Sequence, residues 1–232
     1  MKLGIIGAMD SEVTALQKAL SDAQESEYAK MRFCSGTLEG IDAVVVKCGI
    51  GKVNAAMCVQ VLKDLFHVTH VINTGVAGAL SADLDIGDIV ISAEAVQHDF
   101  DLSPIGFQKA EIPPFGCVAF PADDTLQRKL LQAAHDVKLD VSVFSGRICS
   151  GDQFIAGAEQ KKRICSEFGG LCAEMEGASV AQACCANGLP FVILRAISDR
   201  ADASSGISFA EFEAAAAKHC IAIVMHMAAL LS

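Results

Sequence analysis

Clustered positive charge is the first thing that this sequence lacks. Its 18 lysines and arginines are outnumbered by 28 aspartates and glutamates, which gives a formal net charge of −10. The longest basic run covers only residues 161–163. Nucleic-acid-binding proteins neutralise backbone phosphates with clustered lysine and arginine. The composition therefore excludes DNA and RNA as expected partners and favours a small molecule.

A long hydrophobic run is also missing, although 52% of the residues are hydrophobic. The longest candidate, residues 220–231, contains His226 and is shorter than the roughly 20 residues that a spanning helix needs. Near the start, Asp10 and Glu12 follow Lys2 too closely for a secretory signal peptide. We therefore expect a folded cytoplasmic protein with no membrane partner.

Paired cysteine motifs are absent as well. None of the 10 cysteines forms a Cys-x-x-Cys pair, which is the usual sign of a structural zinc site. Disulfide scaffolds are typical of small secreted chains. Because several cysteines lie within apolar runs, we expect buried free thiols and no metal site.

Nucleotide-binding glycine loops are the last absence. The glycines at residues 4–7 have the wrong spacing for a dinucleotide fingerprint, and residues 49–54 lack its third glycine. Lys52 is followed by Val53 rather than serine or threonine, so a phosphate loop is excluded too.

The pattern that is present alternates short valine- and isoleucine-rich runs with helical periodicity, which predicts an α/β protein with helices on both faces of a sheet. A hairpin joining residues 31–38 to 41–48 makes the sheet mixed. Residues 98–122 hold four of the five prolines and are predicted to be irregular. We expect a single domain over residues 1–232. The predicted strands are 3–8, 43–48, 70–74, 89–95, 141–149 and 191–198, and the predicted helices are 12–20, 53–65, 124–136, 158–168, 175–187 and 208–231.

Polar and glycine-rich residues follow four of the predicted strands, where ligands bind in doubly wound sheets. These segments are residues 7–12, 73–78, 150–154 and 195–199. A dense acidic feature, Glu174-Met175-Glu176, lies in an apolar setting nearby in the sequence. Alone it fits the solvated start of a helix, where glutamate is favoured. With Arg195 and Asp199 in a neighbouring segment, it indicates a site.

Together with Gly49-Ile50-Gly51-Lys52-Val53 and Gly87-Asp88-Ile89-Val90, these segments resemble the nucleoside phosphorylase superfamily, and within it the 5′-methylthioadenosine/S-adenosylhomocysteine nucleosidases. The resemblance runs nearly end to end. It implies a three-layer αβα sandwich and hydrolysis of the N-glycosidic bond of a 5′-thio adenine nucleoside, which yields adenine and a thioribose without a cofactor.

The resemblance also implies roles for three carboxylates. Asp199 is the expected general acid that protonates adenine N7, and Glu12 the group that positions and deprotonates the attacking water. Glu176 is expected to bind the ribose 2′ and 3′ hydroxyls. Glycosidic cleavage needs such an acid and base pair because charge develops on both the sugar and the leaving base.

The remaining site residues are also implied by the resemblance. Arg195 and Ser198 are expected to orient the carboxylates, and the backbone around Ile155 to contact the adenine edge. Val76 stands where some relatives have serine or threonine, so a hydrogen bond made there is expected to be missing. The expected apolar contacts are Met175 on the ribose, Phe154 on adenine, and Met9, Ile50 and Phe209 around the sugar and alkylthio group.

Water rather than phosphate is the expected nucleophile, because Glu12 occupies the loop where related phosphorylases carry an arginine. Two alternatives remain: a futalosine or aminodeoxyfutalosine nucleosidase of menaquinone synthesis, since Ile105 replaces an aromatic residue common in relatives, and a non-catalytic nucleoside-binding protein.

We also expect a homodimer, because Phe100, Ile105, Phe107 and Phe115 would leave an exposed apolar patch on a monomer.

Overall fold

A mixed β-sheet covered by helices on both faces forms the core of the computed structural model, which describes residues 1–202 and 204–232. Within the described residues there are ten strands and six α-helices. The strands are β1 (Lys2–Gly7), β2 (Ser21–Tyr28), β3 (Met31–Leu38), β4 (Ile41–Lys47), β5 (His70–Ala79), β6 (Ile89–Gln97), β7 (Ala119–Pro121), β8 (Val143–Ser150), β9 (Cys172–Glu174) and β10 (Phe191–Asp199). The helices are α1 (Asp10–Ala19), α2 (Lys52–Phe66), α3 (Asp124–Val137), α4 (Ala158–Phe168), α5 (Gly177–Ala186) and α6 (Ser205–Leu231).

One end of the sheet closes on itself. The strand order is β10-β6-β8-β9-β5-β1-β4-β3-β2, with β7 paired to β6. Because β10 also pairs with β5, the strands β5, β9, β8, β6 and β10 form a ring. Within this ring β5 and β10 are parallel, and β6, β8 and β9 run in the opposite direction. The predicted mixed sheet is confirmed, and its closure adds pairings between distant segments.

Helices cover both faces of the sheet, as the predicted three-layer architecture requires. On one face α2 and α5 bury residues such as Val59, Leu62 and Val180 against the strands. On the other face α1, α3 and α6 bury residues such as Leu16 and Leu130. These helices therefore share one apolar core with the sheet on each of its faces, and a third, smaller cluster includes residues of α4.

Strand boundaries differ from the sequence prediction most at β5. The polar segment Asn73–Gly78, predicted to follow the strand, lies inside it and pairs with β10. Its glycines allow the close approach of other side chains that is described below. The strand β2 was not predicted, because its eight residues are almost all polar and exposed. The strands β7 and β9 have three residues each, too few for a visible pattern.

Helix α6 is longer than the apolar run of residues 220–231, which from the sequence is too short to span a membrane. Its portion Ser208–Leu231 is long and apolar enough to cross a membrane by length and composition alone. However, Cys220, Ile223, Val224 and Met227 are at most 1% exposed and pack in the core beneath the sheet. The packing of this face is that of a core helix.

The irregular segment 98–122 contains a 3₁₀ turn at Ser103–Ile105 and the short strand β7. Its four apolar residues differ in exposure. Ile105 is 71% exposed, whereas Phe100, Phe107 and Phe115 are only partly exposed. Phe100 and Phe115 pack against the core. The apolar surface of this segment is therefore smaller than the sequence suggests.

Candidate active site

A cleft of about 490 Å³, including its open mouth, lies beside β5 and the ends of β9 and β10. Four carboxylates and a larger number of apolar groups face it. The lining residues are Ala8, Met9, Glu12, Ile50, Val76, Ala77, Gly78, Phe154, Ala173, Glu174, Met175, Glu176, Ser198, Asp199 and Phe209.

Glu12 is folded back onto the start of its own helix. One carboxylate oxygen accepts hydrogen bonds from the backbone N–H groups of Ala8 at 2.6 Å and Met9 at 3.0 Å, and the other accepts from Val76 N–H at 3.1 Å. Burial raises the pKa of Glu12 above its ordinary value, although Arg195 and these hydrogen bonds oppose the rise. The side chain is thus fixed in place by backbone donors to both of its carboxylate oxygens.

Arg195 is the cation of the site and lies behind the cleft surface. It is 1% exposed and donates to Asn73 Oδ1 at 2.6 Å and, in a short contact, to Glu174 Oε2. Burial alone would lower its pKa, but the carboxylates of Glu174, Glu176 and Glu12 outweigh that effect and raise it. The guanidinium therefore remains charged and compensates part of the negative charge around it.

Glu174 fixes the turn between β9 and α5. Its carboxylate accepts from the backbone N–H groups of Glu176 at 3.1 Å and Gly177 at 2.8 Å, and from Ser150 Oγ. Burial alone would raise the pKa of Glu174, but Arg195 and these donors hold it below its usual range. The turn is thereby held by an ionised carboxylate.

Glu176 projects from that turn towards the start of α2, where Gly51 N–H donates to Oε1 at 2.8 Å. Burial, followed by repulsion from ionised Glu174, raises the pKa of Glu176 to about 8. The two neighbouring glutamates therefore hold their protons differently: Glu174 remains ionised, and Glu176 is protonated through much of the neutral range.

Asp199 ends β10 and is 2% exposed. Its carboxylate accepts from Ser198 Oγ at 3.0 Å and from Ala201 N–H at 2.8 Å. These contacts set the orientation of the carboxyl group towards the cleft. Glu12 is positioned by helix α1, whereas Asp199 is positioned by the end of strand β10 and the turn that follows it.

Two glycines of β5 leave space for these carboxylates. A Cβ on Gly75 would lie 2.5 Å from Glu12 Oε1, and a Cβ on Gly78 would lie 2.8 Å from Asp199 Oδ1. The two glycines are three residues apart, which is about 10 Å at the ~3.3 Å rise of a strand. Glu12 and Asp199 therefore lie against different positions along β5.

Apolar side chains form the outer walls of the cleft. The rings of Phe154 and Phe209 meet edge to face, with centroids 5.7 Å apart. Phe154 is 48% exposed and Ile50 is 55% exposed, which is unusual for large apolar residues that serve only as core. These exposed faces can contact a flat base and an apolar substituent.

Ten of the twelve site residues predicted from the sequence line this cleft. The two others lie behind it. The side chain of Ile155 is 6% exposed and packs in a separate core cluster, so it is not a wall of the cleft, and Arg195 contacts its carboxylates from below. Contact between the backbone at Ile155 and adenine stays a prediction.

Five lining residues were not among the predicted site residues. Ala8, Ala77, Gly78 and Ala173 are small and leave the space that the cleft occupies. Glu174 stood out in the sequence as part of a dense acidic feature with Arg195 in a neighbouring segment, but the direct contact between the two, which are 21 residues apart, is seen only in the folded chain.

The charged groups that line the cleft favour water over phosphate as the nucleophile. In the part of the chain that the structure describes, no group of three or more histidine, cysteine, aspartate or glutamate residues is arranged to hold a metal ion. Among the described residues that line the cleft, none is lysine or arginine, and four are carboxylates. Such a surface repels a phosphate nucleophile and suits water, with carboxylates to move its protons.

Comparison with known proteins agrees with this chemistry. The sequence model of the phosphorylase superfamily matches residues 2–229. A curated relative from Geobacillus sp. (strain WCH70), named 5′-methylthioadenosine/S-adenosylhomocysteine nucleosidase, is 41% identical over 100% of this chain and 99% of its own length.

Solved structures show the same fold. The nucleosidase of that name from Colwellia psychrerythraea, in complex with adenine, is 38% identical with a TM-score of 0.95, covering 98% of this chain and 94% of that one. A mutant of the Helicobacter pylori enzyme, with 5′-methylthioadenosine in its active site, is 33% identical with a TM-score of 0.92 and covers 97% of each chain.

Proposed function

Because the chain belongs to the phosphorylase superfamily, and within it to the 5′-methylthioadenosine/S-adenosylhomocysteine nucleosidases, we propose that it hydrolyses both of these nucleosides. The N-glycosidic bond breaks, adenine leaves, and water supplies the hydroxyl of the thioribose product. This reaction serves methionine salvage and removes a product of methyl transfer. The observation that carries the proposal is the placement of Glu12 and Asp199 at separate positions of a cleft lined by carboxylates and apolar groups.

In this mechanism Asp199 donates a proton to N7 of adenine as the bond between N9 and C1′ lengthens. The base then leaves without accumulating negative charge. Ser198 and the Ala201 amide support the orientation of the carboxyl group. The aspartate must carry its proton when the substrate binds.

Glu12 acts at the sugar. Its carboxylate positions a water molecule and takes a proton from it as the water oxygen bonds to C1′, which bears oxocarbenium character in the transition state. Arg195 lies close to the carboxylate and its charge opposes the rise of the Glu12 pKa. General base catalysis requires the ionised form of Glu12, so this opposition supports the reaction.

The other cleft residues bind substrate in this proposal. Glu176 accepts hydrogen bonds from the ribose 2′ and 3′ hydroxyls, and Met175 packs on the ribose. Phe154 stacks on adenine. The remaining apolar walls, which contact the sugar and the 5′ alkylthio group, are Met9, Ile50, Val76 and Phe209.

We propose the whole chain as one nucleosidase domain that acts as a cytoplasmic homodimer without a cofactor. The family match over residues 2–229 and the continuous sheet support one domain. All ten cysteines are free thiols, which fits a reducing compartment. Three exposed apolar side chains, Ile105 at 71%, Val53 at 70% and Met57 at 41% exposure, support the homodimer, because a second subunit would cover them. Light scattering that finds a fully active monomer would contradict the homodimer.

Adenine release tests the proposed function. Purified protein is incubated with 5′-methylthioadenosine, S-adenosylhomocysteine and aminodeoxyfutalosine in parallel, and free adenine is measured by chromatography. The proposal predicts efficient release from the first two. Faster release from aminodeoxyfutalosine would favour the menaquinone-pathway activity, and no release from any of them would indicate a binding protein.

A further inference from the structure

Three segments, two of which carry the exposed cleft residues Ile50 and Phe154, are joined by a closed cycle of hydrogen bonds. Asp99 follows β6, Asp152 follows β8, and Lys52 begins α2. Lys52 Nζ donates to Asp99 Oδ1 at 2.6 Å, Asp152 N–H donates to Asp99 Oδ2 at 2.8 Å, and Lys52 N–H donates to Asp152 Oδ1 at 2.8 Å. We call these three residues the mouth ring.

The Lys52–Asp99 ion pair of the mouth ring is partly buried, whereas Asp152 is exposed. The side chains of Lys52 and Asp99 are only 18% and 15% exposed, so their attraction is less screened than that of a surface ion pair. A Cβ on Gly151 would lie 2.4 Å from His98 Nε2 and 3.1 Å from Asp99 Cγ. The backbone after β8 therefore lies directly on the segment after β6.

The mouth ring adjoins two of the groups that are proposed to bind substrate. Phe154 is two residues after Asp152. Gly51, directly before Lys52, donates its N–H to Glu176. The adjacent amides of residues 51 and 52 thus point at two different carboxylates from the start of α2, where the helix dipole favours negative charge.

The groups proposed for chemistry are anchored elsewhere. Glu12 is held by Ala8, Met9 and Val76, and Asp199 by Ser198 and Ala201. A displacement of the mouth ring would therefore change the adenine and ribose contacts while leaving the acid and base in place.

We propose that Asp99 is a positioning residue, which through Lys52 and Asp152 sets the relative positions of Phe154 and Glu176 and so the affinity for the nucleoside. The proposal rests on the proposed function for its kinetic readout. Because Asp152 N–H donates to Asp99, hydrogen exchange at this amide tests the proposal without a measurement of activity.

Replacing a carboxylate by an amide has different effects at Asp99 and at Asp152. Asp99 uses both carboxylate oxygens as acceptors, so Asp99→Asn necessarily sets an amide NH₂ against one of two donors. Asp152 contributes one side-chain acceptor to the ring, which Asp152→Asn retains and Asp152→Ala removes. Glu167→Gln is a matched control outside the cleft, because Glu167 forms an ion pair with Lys109, also at 2.6 Å.

Steady-state kinetics with 5′-methylthioadenosine test the proposal. We expect Asp99→Asn and Asp152→Ala to raise KM about tenfold or more, with kcat within about threefold of wild type. Asp152→Asn should rescue most of the loss seen in Asp152→Ala, and Glu167→Gln should match wild type. The double variant Asp99→Asn/Asp152→Ala should be little worse than either single variant, because the cycle is already open.

Two results would overturn the proposal: a wild-type KM in Asp99→Asn, or an equal loss in Asp152→Asn and Asp152→Ala. Amide hydrogen exchange in the substrate-free protein decides the matter without reference to activity. Exchange at Asp152 should rise at least about tenfold in Asp99→Asn and remain unchanged in Glu167→Gln, and an unchanged rate in both would also overturn it. An inactive wild type with this exchange pattern contradicts the proposed function alone.

Discussion

The two ends of the cleft hold their carboxylates in different ways. At one end Glu12, Glu174 and Glu176 surround a single buried cation, Arg195. At the other end Asp199 is held by a hydroxyl and a backbone amide. Charges that share one counter-ion depend on one another, whereas a carboxyl held by neutral donors can be changed locally. Substitutions at the arginine end should therefore alter pH dependence, and those at the Asp199 end should alter proton donation alone.

The largest effect is expected at Asp199. In Asp199→Asn the amide oxygen can still accept from Ala201 N–H and the NH₂ can donate to Ser198 Oγ, but the side chain cannot protonate adenine N7. Because general acid catalysis contributes about 10²–10⁴-fold, kcat should fall by about that factor while an inhibitor that mimics the substrate still binds. Stopped assays and inhibitor titration measure the two quantities. Asp85→Asn, whose side chain is 78% exposed, is the control, and retention of more than about a tenth of wild-type kcat would remove Asp199 from the mechanism.

Glu12 should have the next largest effect. Glu12→Gln removes the proton acceptor for the water, so kcat should fall about 10²-fold or more. If Glu12 served only the first turn of α1, its loss would cost ~0.3–1 kcal/mol of stability and leave turnover intact. Kinetics and urea unfolding on the same variant distinguish these outcomes. Glu159→Gln, which changes an exposed glutamate in the first turn of α4, controls for the helix effect.

The pH dependence of stability tests the raised pKa of Glu176, which burial and the neighbouring Glu174 produce at the arginine end of the cleft. Between the ordinary carboxyl pKa near 4.5 and about 8, folded Glu176 binds more protons than the unfolded chain does. The free energy of unfolding should therefore fall as pH rises through this range. Glu176→Gln should remove that decrease, which we expect to exceed about 1 kcal/mol since one pKa unit is worth ~1.4 kcal/mol. Urea unfolding at several pH values gives the result, and identical slopes for both proteins would refute it.

The smallest effect is expected at Ser198. Ser198→Ala removes one hydrogen bond to Asp199, and such a bond is worth about 0.5–1.5 kcal/mol. We expect kcat to fall about threefold to tenfold with an unchanged pH profile of stability, because the change stays at the Asp199 end. A loss as large as that of Asp199→Asn would mean that the hydroxyl takes a direct part in proton transfer.

Much of the fold could be predicted from the sequence where periodicity is strong. Helix α4 and strand β3 match their predicted bounds, and the α/β class follows from alternating patterns. β2 could not be found, because an exposed polar strand carries no apolar alternation. Closure of the sheet between β5 and β10 depends on pairing between residues over 100 positions apart, which local patterns do not encode.

The carboxylates and apolar walls of the candidate site were assigned through the family resemblance, because from the residues alone the apolar ones would read as core. The electrostatics of the site were not predicted. The contact between Glu174 and Arg195 and the approach of Asp199 to Gly78 arise only when distant strands pair. The mouth ring likewise joins residues 52, 99 and 152, none of which stands out alone in the sequence.

Tracing the oxygen of the nucleophile tests the central claim most directly. Wild-type protein is given 5′-methylthioadenosine in ¹⁸O-labelled water, with and without inorganic phosphate, and the sugar product is analysed by mass spectrometry. Hydrolysis in a carboxylate-lined cleft predicts one ¹⁸O at C1 of methylthioribose and the same rate in both buffers. A methylthioribose 1-phosphate product, or a rate that rises with phosphate, would contradict the account.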